Sequence, residues 1–179
     1  MQSIWTFVRP LALALLVACS GCESIWDSLK PKDELPPATQ KGARTLGFKL
    51  NGEIWEGNGI QQGQLIDDRL SIKSQRFLEG DDEDRFYLFI REYDGSMNVE
   101  LSNSTVNINK PYRTVILRVR REGSSKRYEN DSNHTITTEF SKFDSVERIM
   151  AGRFHGTLVN DRDPNDTMVV TDGRFDVTF

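Results

Sequence analysis

The chain has 179 residues, 23 of them basic and 27 acidic, for a formal net charge of −4, and it carries two cysteines. Arg9 is the only charged residue within residues 1–18, so the remainder is more acidic than the whole. A mildly acidic surface of this kind lacks the basic footprint of a nucleic-acid binder.

The N-terminus sets the context for everything after it. Arg9 precedes an apolar run from Leu11 to Ala18 that stops at Cys19. A membrane-spanning helix needs roughly 20 apolar residues. This run falls short even with Trp5 and Phe7 and is interrupted by Pro10, so residues 1–18 are predicted to be a signal peptide. Leu16-Val17-Ala18-Cys19 resembles the bacterial lipobox. The resemblance implies that Cys19 becomes the first mature residue, acylated by palmitate and related chains on its sulfur and amino group. At about 0.8 kcal/mol per buried methylene, more than one chain makes a stable membrane anchor. Ser20 stands where enteric inner-membrane lipoproteins carry Asp, which implies an outer-membrane address. The alternative is ordinary secretion with cleavage after Ala18 or Gly21 and a free thiol. Cys22 ranks below Cys19 because its minus-three position is a cysteine instead of an aliphatic residue. No cysteine follows Cys22, so the folded domain is expected to lack disulfides, thiolate metal sites and a cysteine nucleophile.

Residues 19–42, with Pro31, Pro36 and Pro37 and almost no apolar periodicity, read as a lipidated N-terminus and extended tether. Residues 43–179 are enough for a single domain that buries roughly 70% of its unfolded surface. Apolar and polar residues alternate over 45–50, 65–74, 86–92, 98–101 and 114–121. The same pattern returns over 135–140, 153–160, 167–171 and 174–179. Period two means half-buried strands. Asn51-Gly52, Asp94-Gly95 and Asp172-Gly173 supply hairpin-forming dipeptides. Residues 145–151 have a weak helical pattern, and 77–84 have room for one helical turn. The expectation is an all-β domain, an antiparallel β-sandwich of about nine strands, with a β-barrel as the alternative.

Within that frame the Asn51-Gly52 turn should fold Trp55 back over Phe48 and Leu50 as an apolar plug. In the last strand Phe175, Val177 and Phe179 should face the core, with Arg174, Asp176 and Thr178 on the other side. The opening Leu35-Pro36-Pro37-Ala38-Thr39-Gln40, with Gly42, Thr45, Gly47, Asn51-Gly52 and Trp55, resembles that of Bacteroidetes outer-membrane lipoproteins of unknown function. The ending Thr171-Asp172-Gly173-Arg174-Phe175-Asp176-Val177 is similar to theirs, and the stretch of Gly152, Phe154 and Gly156-Thr157-Leu158 is similar in style. Such proteins often have Phe-Gly-Cys where this chain has Leu46-Gly47-Phe48, so no role of that cysteine carries over. The resemblance implies location and architecture without an activity.

Catalytic machinery is sparse. His134 and His155 are the only imidazoles, and the chain has no Gly-x-Ser-x-Gly elbow, His-Glu-x-x-His helix or phosphate-binding glycine loop. His155 reads as a solvated strand position and His134 as a loop residue. The metal candidate is a calcium loop with Asp161, Asp163 and Asn165 at alternate positions and Asp172 at the twelfth. Asp166 replaces the glycine of such loops, Asp172 is shorter than the usual Glu, and 167–171 reads as a strand. A turn capped by its own side-chain oxygens explains the segment without an ion. Asp81-Asp82-Glu83-Asp84 reads as a solvated acidic loop. Arg118, Arg120, Arg121, Lys126 and Arg127 gather around a Gly-Ser-Ser tip, either as a charged edge or as a surface for anionic sugars or phosphates. Two function classes follow. The preferred one is a non-catalytic, membrane-anchored module that binds a glycan or protein partner. The alternative is a secreted hydrolase acting on polysaccharide, which needs a cleft with two carboxylates at catalytic separation.

Overall fold

A computed structural model describes residues 34–101 and 113–179 of the chain. The expected signal peptide, the expected acylation site Cys19, Cys22 and the expected tether up to residue 33 lie outside the described residues. The described residues contain no helix, and every strand pairing is antiparallel, as the alternation predicts.

Strands β1 (Thr45–Leu50) and β2 (Glu53–Glu56) form a hairpin through Asn51-Gly52, whose φ values of 51° and 89° are those of a type I′ turn. The next pair, β3 (Gln61–Ile66) and β4 (Arg69–Phe77), turns at Asp67-Asp68, with Asp67 at φ 55°. Residues 65–74, expected as one strand, are therefore the tip of a hairpin. Asp takes the left-handed conformation there without the glycine that would have marked it. A short turn connects β4 to β5 (Glu83–Ile90), so the helical turn expected over 77–84 is absent.

Beyond β6 (Asn98–Leu101), strands β7 (Arg113–Arg121) and β8 (Ser124–Glu129) form a second I′ hairpin at Glu122-Gly123, with φ of 49° and 77°. After β9 (Ile136–Asp144) come two twelve-residue strands, β10 (Ile149–Asn160) and β11 (Thr167–Thr178). The helical pattern expected over 145–151 is in fact a turn followed by the start of β10. Asp172-Gly173 does not turn the chain either. It forms a bulge, so the two closing strands expected on either side of it are one.

The eleven strands of the described residues make one sheet curled into a half-barrel, nine of them in the order β2-β1-β11-β10-β8-β7-β5-β4-β3, with β9 and β6 off that path. Strand β10 changes partner along its length. Its first part pairs with β9, which carries β6 on its far side, and only Val159 and Asn160 pair with β8.

The concave side of the curl is the core. Leu46, Phe48, Trp55, Ile72, Phe86, Leu88, Leu117, Phe154 and Val177 are all buried there. Phe48 and Trp55 are directly opposite in the β1–β2 register, and their rings stack at 4.6 Å between centroids, which is the plug the turn predicts. Phe86 continues the stack, 5.3 Å from Phe48 and 5.2 Å from Phe154. Aromatic pairs of this kind contribute roughly 0.5–1.5 kcal/mol each beyond their buried area. Phe175 and Val177 face the core as expected, and Phe179 stacks on Phe143 at 5.3 Å.

On the other side of β11, Asp176 is also buried. Its carboxylate accepts hydrogen bonds from the Thr39 hydroxyl and from the backbone N–H groups of Lys41 (3.1 Å) and Gly42 (2.7 Å). Pro36 is buried against Gly47, where a Cβ would come within 2.7 Å of the proline ring. The last part of the segment assigned to the tether thus lies against the β1–β11 pair.

Candidate anion-binding face

Strands β5, β7 and β8 run side by side, and their register sets Arg85 opposite Arg118 and Arg118 opposite Arg127. The chain neighbours of these arginines are Phe86, Leu117 and Tyr128, at most 2% exposed. Alternation therefore sends all three guanidinium groups to the convex, solvent side. Directly opposed like charges destabilise an antiparallel pair. Here two such pairs share one residue.

The acids around the row neutralise it in part. Glu83 Oε1 lies 2.7 Å from Arg85 and 3.4 Å from Arg120, and Glu129 lies 2.6 Å from Arg127. Burial pushes the Glu83 carboxyl up, but hydrogen bonds from Gln75 and Arg85 and the charges of Arg85 and Arg120 outweigh this and hold it below its ordinary value. Arg118, in the centre, is exposed and has no ion-pair or hydrogen-bond partner among the described residues. With Glu83, Arg85, Arg120 and Ser125 it lines a shallow depression of about 200 Å³. One row further along the same face, Lys73 is opposite Tyr87. The rings of Tyr87 and Phe89 stack there at 5.8 Å and 8°. The face thus offers forked, permanently charged donors beside a flat aromatic surface, the equipment for binding anions and stacking on sugar rings.

The structure sorts the basic cluster expected from sequence. Arg118, Arg120 and Arg127 stay together. Arg121 turns away to pair with Asp84 at 2.7 Å, and Lys126 with Asp166 at 2.9 Å. Arg85 joins from a strand more than twenty-five positions earlier. Its signal in the sequence is the single basic residue that ends the acidic run Asp81-Asp82-Glu83-Asp84 just before the apolar stretch that starts at Phe86, but alternation does not reveal which strand lies next to which.

The four calcium candidates do not converge. Asp161 and Asp163 belong to the β10–β11 turn, where Asp163 Oδ1 accepts from the Asn165 backbone N–H at 3.0 Å and the Asp161 N–H donates to the Arg127 carbonyl. Asp172 sits in the β11 bulge, roughly 20 Å further on by strand rise. There it forms a 2.7 Å ion pair with Lys49. Among the described residues no group of three or more His, Cys, Asp or Glu side chains is placed to hold a metal. The residue that organises this turn is Asp166. Its Oδ2 accepts from Lys126 Nζ (2.9 Å), Tyr128 OH (2.9 Å) and Asn160 Nδ2 (3.0 Å).

The run from Asp81 to Asp84 is not a solvated loop throughout. Asp82 accepts from the Glu122 N–H at 2.8 Å, while Glu83 and Asp84 enter β5 and are buried. His134 Nδ1 lies 2.9 Å from Asp131 Oδ1 within its turn, and His155 is exposed on β10 opposite Thr137. Comparison with protein-family models, with curated proteins and with solved structures gives no match for this chain.

Proposed function

We propose that this protein is a lipid-anchored binding module of the bacterial cell envelope, held in the outer membrane through Cys19. Its β domain takes an acidic glycan on the convex face of β4, β5, β7 and β8. One observation carries this reading: Arg118 is set between two other arginines and has no counter-charge paired with it among the described residues. Folding alone favours an acid or a neutral residue at that position. A polyanion laid across the strands meets Arg85, Arg118 and Arg127 in turn, and Tyr87 and Phe89 give its sugar rings a surface on which to stack.

Thermal unfolding of the full chain with dextran sulfate and with polygalacturonate, each against neutral dextran, tests the proposal. A ligand that binds the native state raises the midpoint. The expected result is a rise of several degrees with an acidic polymer that shrinks in high salt, is absent with dextran, and is lost in Arg85→Gln/Arg118→Gln. No rise with either acidic polymer would sink the glycan reading. The anchor has its own test: labelled palmitate should enter the wild-type chain and not Cys19→Ala.

A further inference from the structure

The β10–β11 pair holds a second unusual arrangement, on different strands from the arginine row. Its register slips between Phe154 and Gly156 to fit the Asp172-Gly173 bulge, with Asp172 at φ 53°. Left-handed backbone at a non-glycine residue is strained, and such strain concentrates at binding sites. The bulge opens a depression of about 460 Å³ lined by the side chains of Glu139, Arg153, His155, Thr171, Asp172 and Arg174. Gly173 lies at its base, where a Cβ would meet the Phe154 carbonyl and come within 2.7 Å of the buried Phe154 ring, so the close packing of β11 on β10 there requires glycine.

Across β9, β10 and β11 the register aligns Glu139, Arg153 and Arg174 in one row, with the two arginines directly opposite each other. Arg174 is held from below, its Nη1 donating to the Pro36 carbonyl at 3.2 Å. Asp172 is engaged by Lys49, which with the nearby Arg174 and Arg153 holds its carboxyl below the ordinary value against a small opposing effect of burial. Arg153 has Glu139 on one side and Arg174 on the other, yet it is exposed and makes no ion pair or hydrogen bond among the described residues.

We infer that this depression is a binding site for a single sugar acid, with Arg153 and Arg174 taking the carboxylate and Glu139, His155 and Thr171 taking ring hydroxyls. The chemistry follows from the lining. Two arginine forks suit a planar carboxylate, whereas a carboxylate, an imidazole and a hydroxyl beside them suit polyhydroxylated rings, and the carboxylates of Glu139 and Asp172 repel a second negative charge. The site shares no residue with the arginine row, so each stands without the other.

Isothermal titration of the full chain with sodium glucuronate and sodium galacturonate, against glucose and sodium sulfate, tests the assignment. At least one uronate should bind, with affinity falling at least tenfold in Arg153→Gln and unchanged in Arg69→Gln, an exposed residue of the β3–β4 hairpin outside the depression and the arginine row. Glucose should bind at least tenfold more weakly than that uronate. Binding of sulfate as strong as that of the uronate would overturn the sugar-acid assignment by showing a simple anion site. No uronate binding, or binding indifferent to Arg153→Gln, would overturn the site itself. Because Arg153 is exposed, the variant should keep the wild-type melting profile, so a lost signal is not lost folding.

Discussion

Trp55 Nε1 donates a 2.9 Å hydrogen bond to Asp84 Oδ2, joining two residues 29 positions apart at the rim of the core. The same carboxylate, 1% exposed, is shared by Arg76, whose Nε donates at 3.0 Å, and by Arg121 at 2.7 Å. Arg76 also lies 5.4 Å over the Trp55 ring. Removing this acid leaves the indole N–H without its acceptor and two guanidinium groups without a counter-charge there, Arg76 keeping only the Ile54 carbonyl at 3.4 Å and Arg121 the Arg120 carbonyl at 2.7 Å. Asp84→Ala should cost about 3 kcal/mol, on the order of 10 °C in Tm for a domain of this size. Trp55→Phe keeps the stack on Phe48 and loses one hydrogen bond, and should cost nearer 1 kcal/mol beyond the lost ring area. Paired denaturant melts read both. Equal losses would mean the carboxylate matters only through the indole.

Asn130 is fully buried beside the end of β7 and uses its whole amide. Its Oδ1 accepts from the Val115 N–H (2.6 Å) and the Thr114 hydroxyl (3.0 Å), and its Nδ2 donates to the carbonyls of Leu101 (2.9 Å) and Arg113 (3.2 Å). Every donor and acceptor is satisfied. Asn130→Ala should cost about 3 kcal/mol by stranding those groups, and Asn130→Asp should cost a similar amount because it loses both donors. Chemical denaturation of the two variants checks this, and a Asn130→Asp variant as stable as wild type would refute it.

Asp176 gives the fold a dependence on pH. Burial raises its carboxyl, but the hydrogen bonds from Thr39 and from the backbone of Lys41, Ala43 and Gly42 outweigh burial and hold it below its ordinary value. The native state thus binds the proton less readily than the unfolded chain, whose Asp titrates near 3.9. The stabilisation is therefore complete above about pH 4 and fades as pH falls through the lower native value. Asp176→Asn should destabilise the fold at pH 7 by about 2 kcal/mol, and the gap to wild type should close as pH falls below 4. A gap that stays constant down to pH 2 would show that the residue acts by shape alone.

The arginine row predicts a trade between folding and binding. Arg118→Gln removes a charge flanked by two like charges, so the ligand-free domain should melt higher at low salt, on the order of 1–3 °C. Added salt should erase the difference by screening the repulsion. A lower melting point for the variant under all conditions would mean that Arg118 is held by a contact the row does not account for.

Most of the fold was legible because its signals are local. Trp55 opposite Phe48 follows from a two-residue turn and period two, and Asn51-Gly52 names that turn. The misreadings share a cause, which is that one dipeptide serves several backbone roles. Asp172-Gly173 could close a hairpin or make a bulge, and the choice belongs to β10, where His155 alone stands opposite Thr171 and Asp172. Asp94-Gly95 lies in the connection from β5 to β6, which do not pair with each other. Asp67-Asp68 turns the chain with no glycine to announce it. The candidate anion-binding face was half visible: Arg118, Arg120 and Arg127 cluster in sequence, but Arg85 and Glu83 reach them only through the sheet order. The depression at the bulge was invisible, since it gathers residues from three strands around a floor that exists because one strand has an extra residue.

The partner change along β10 divides the sheet for dynamics. One plate contains β2, β1, β11, β10, β9 and β6, and the other contains β8, β7, β5, β4 and β3. The direct ladder between them is the pair of contacts made by Val159 and Asn160, supported by the Asp161 N–H on the Arg127 carbonyl. The side chains that clamp this join all converge on Asp166, which ties Lys126 and Tyr128 of one plate to Asn160 of the other. Amide protons in a sheet exchange with solvent in cooperative units bounded by such weak joins. The two plates should therefore appear as separate protection classes in hydrogen exchange, with Asp166 at the β8–β10 join and the Trp55–Asp84 and Asn130–Leu101 hydrogen bonds setting how independently they open.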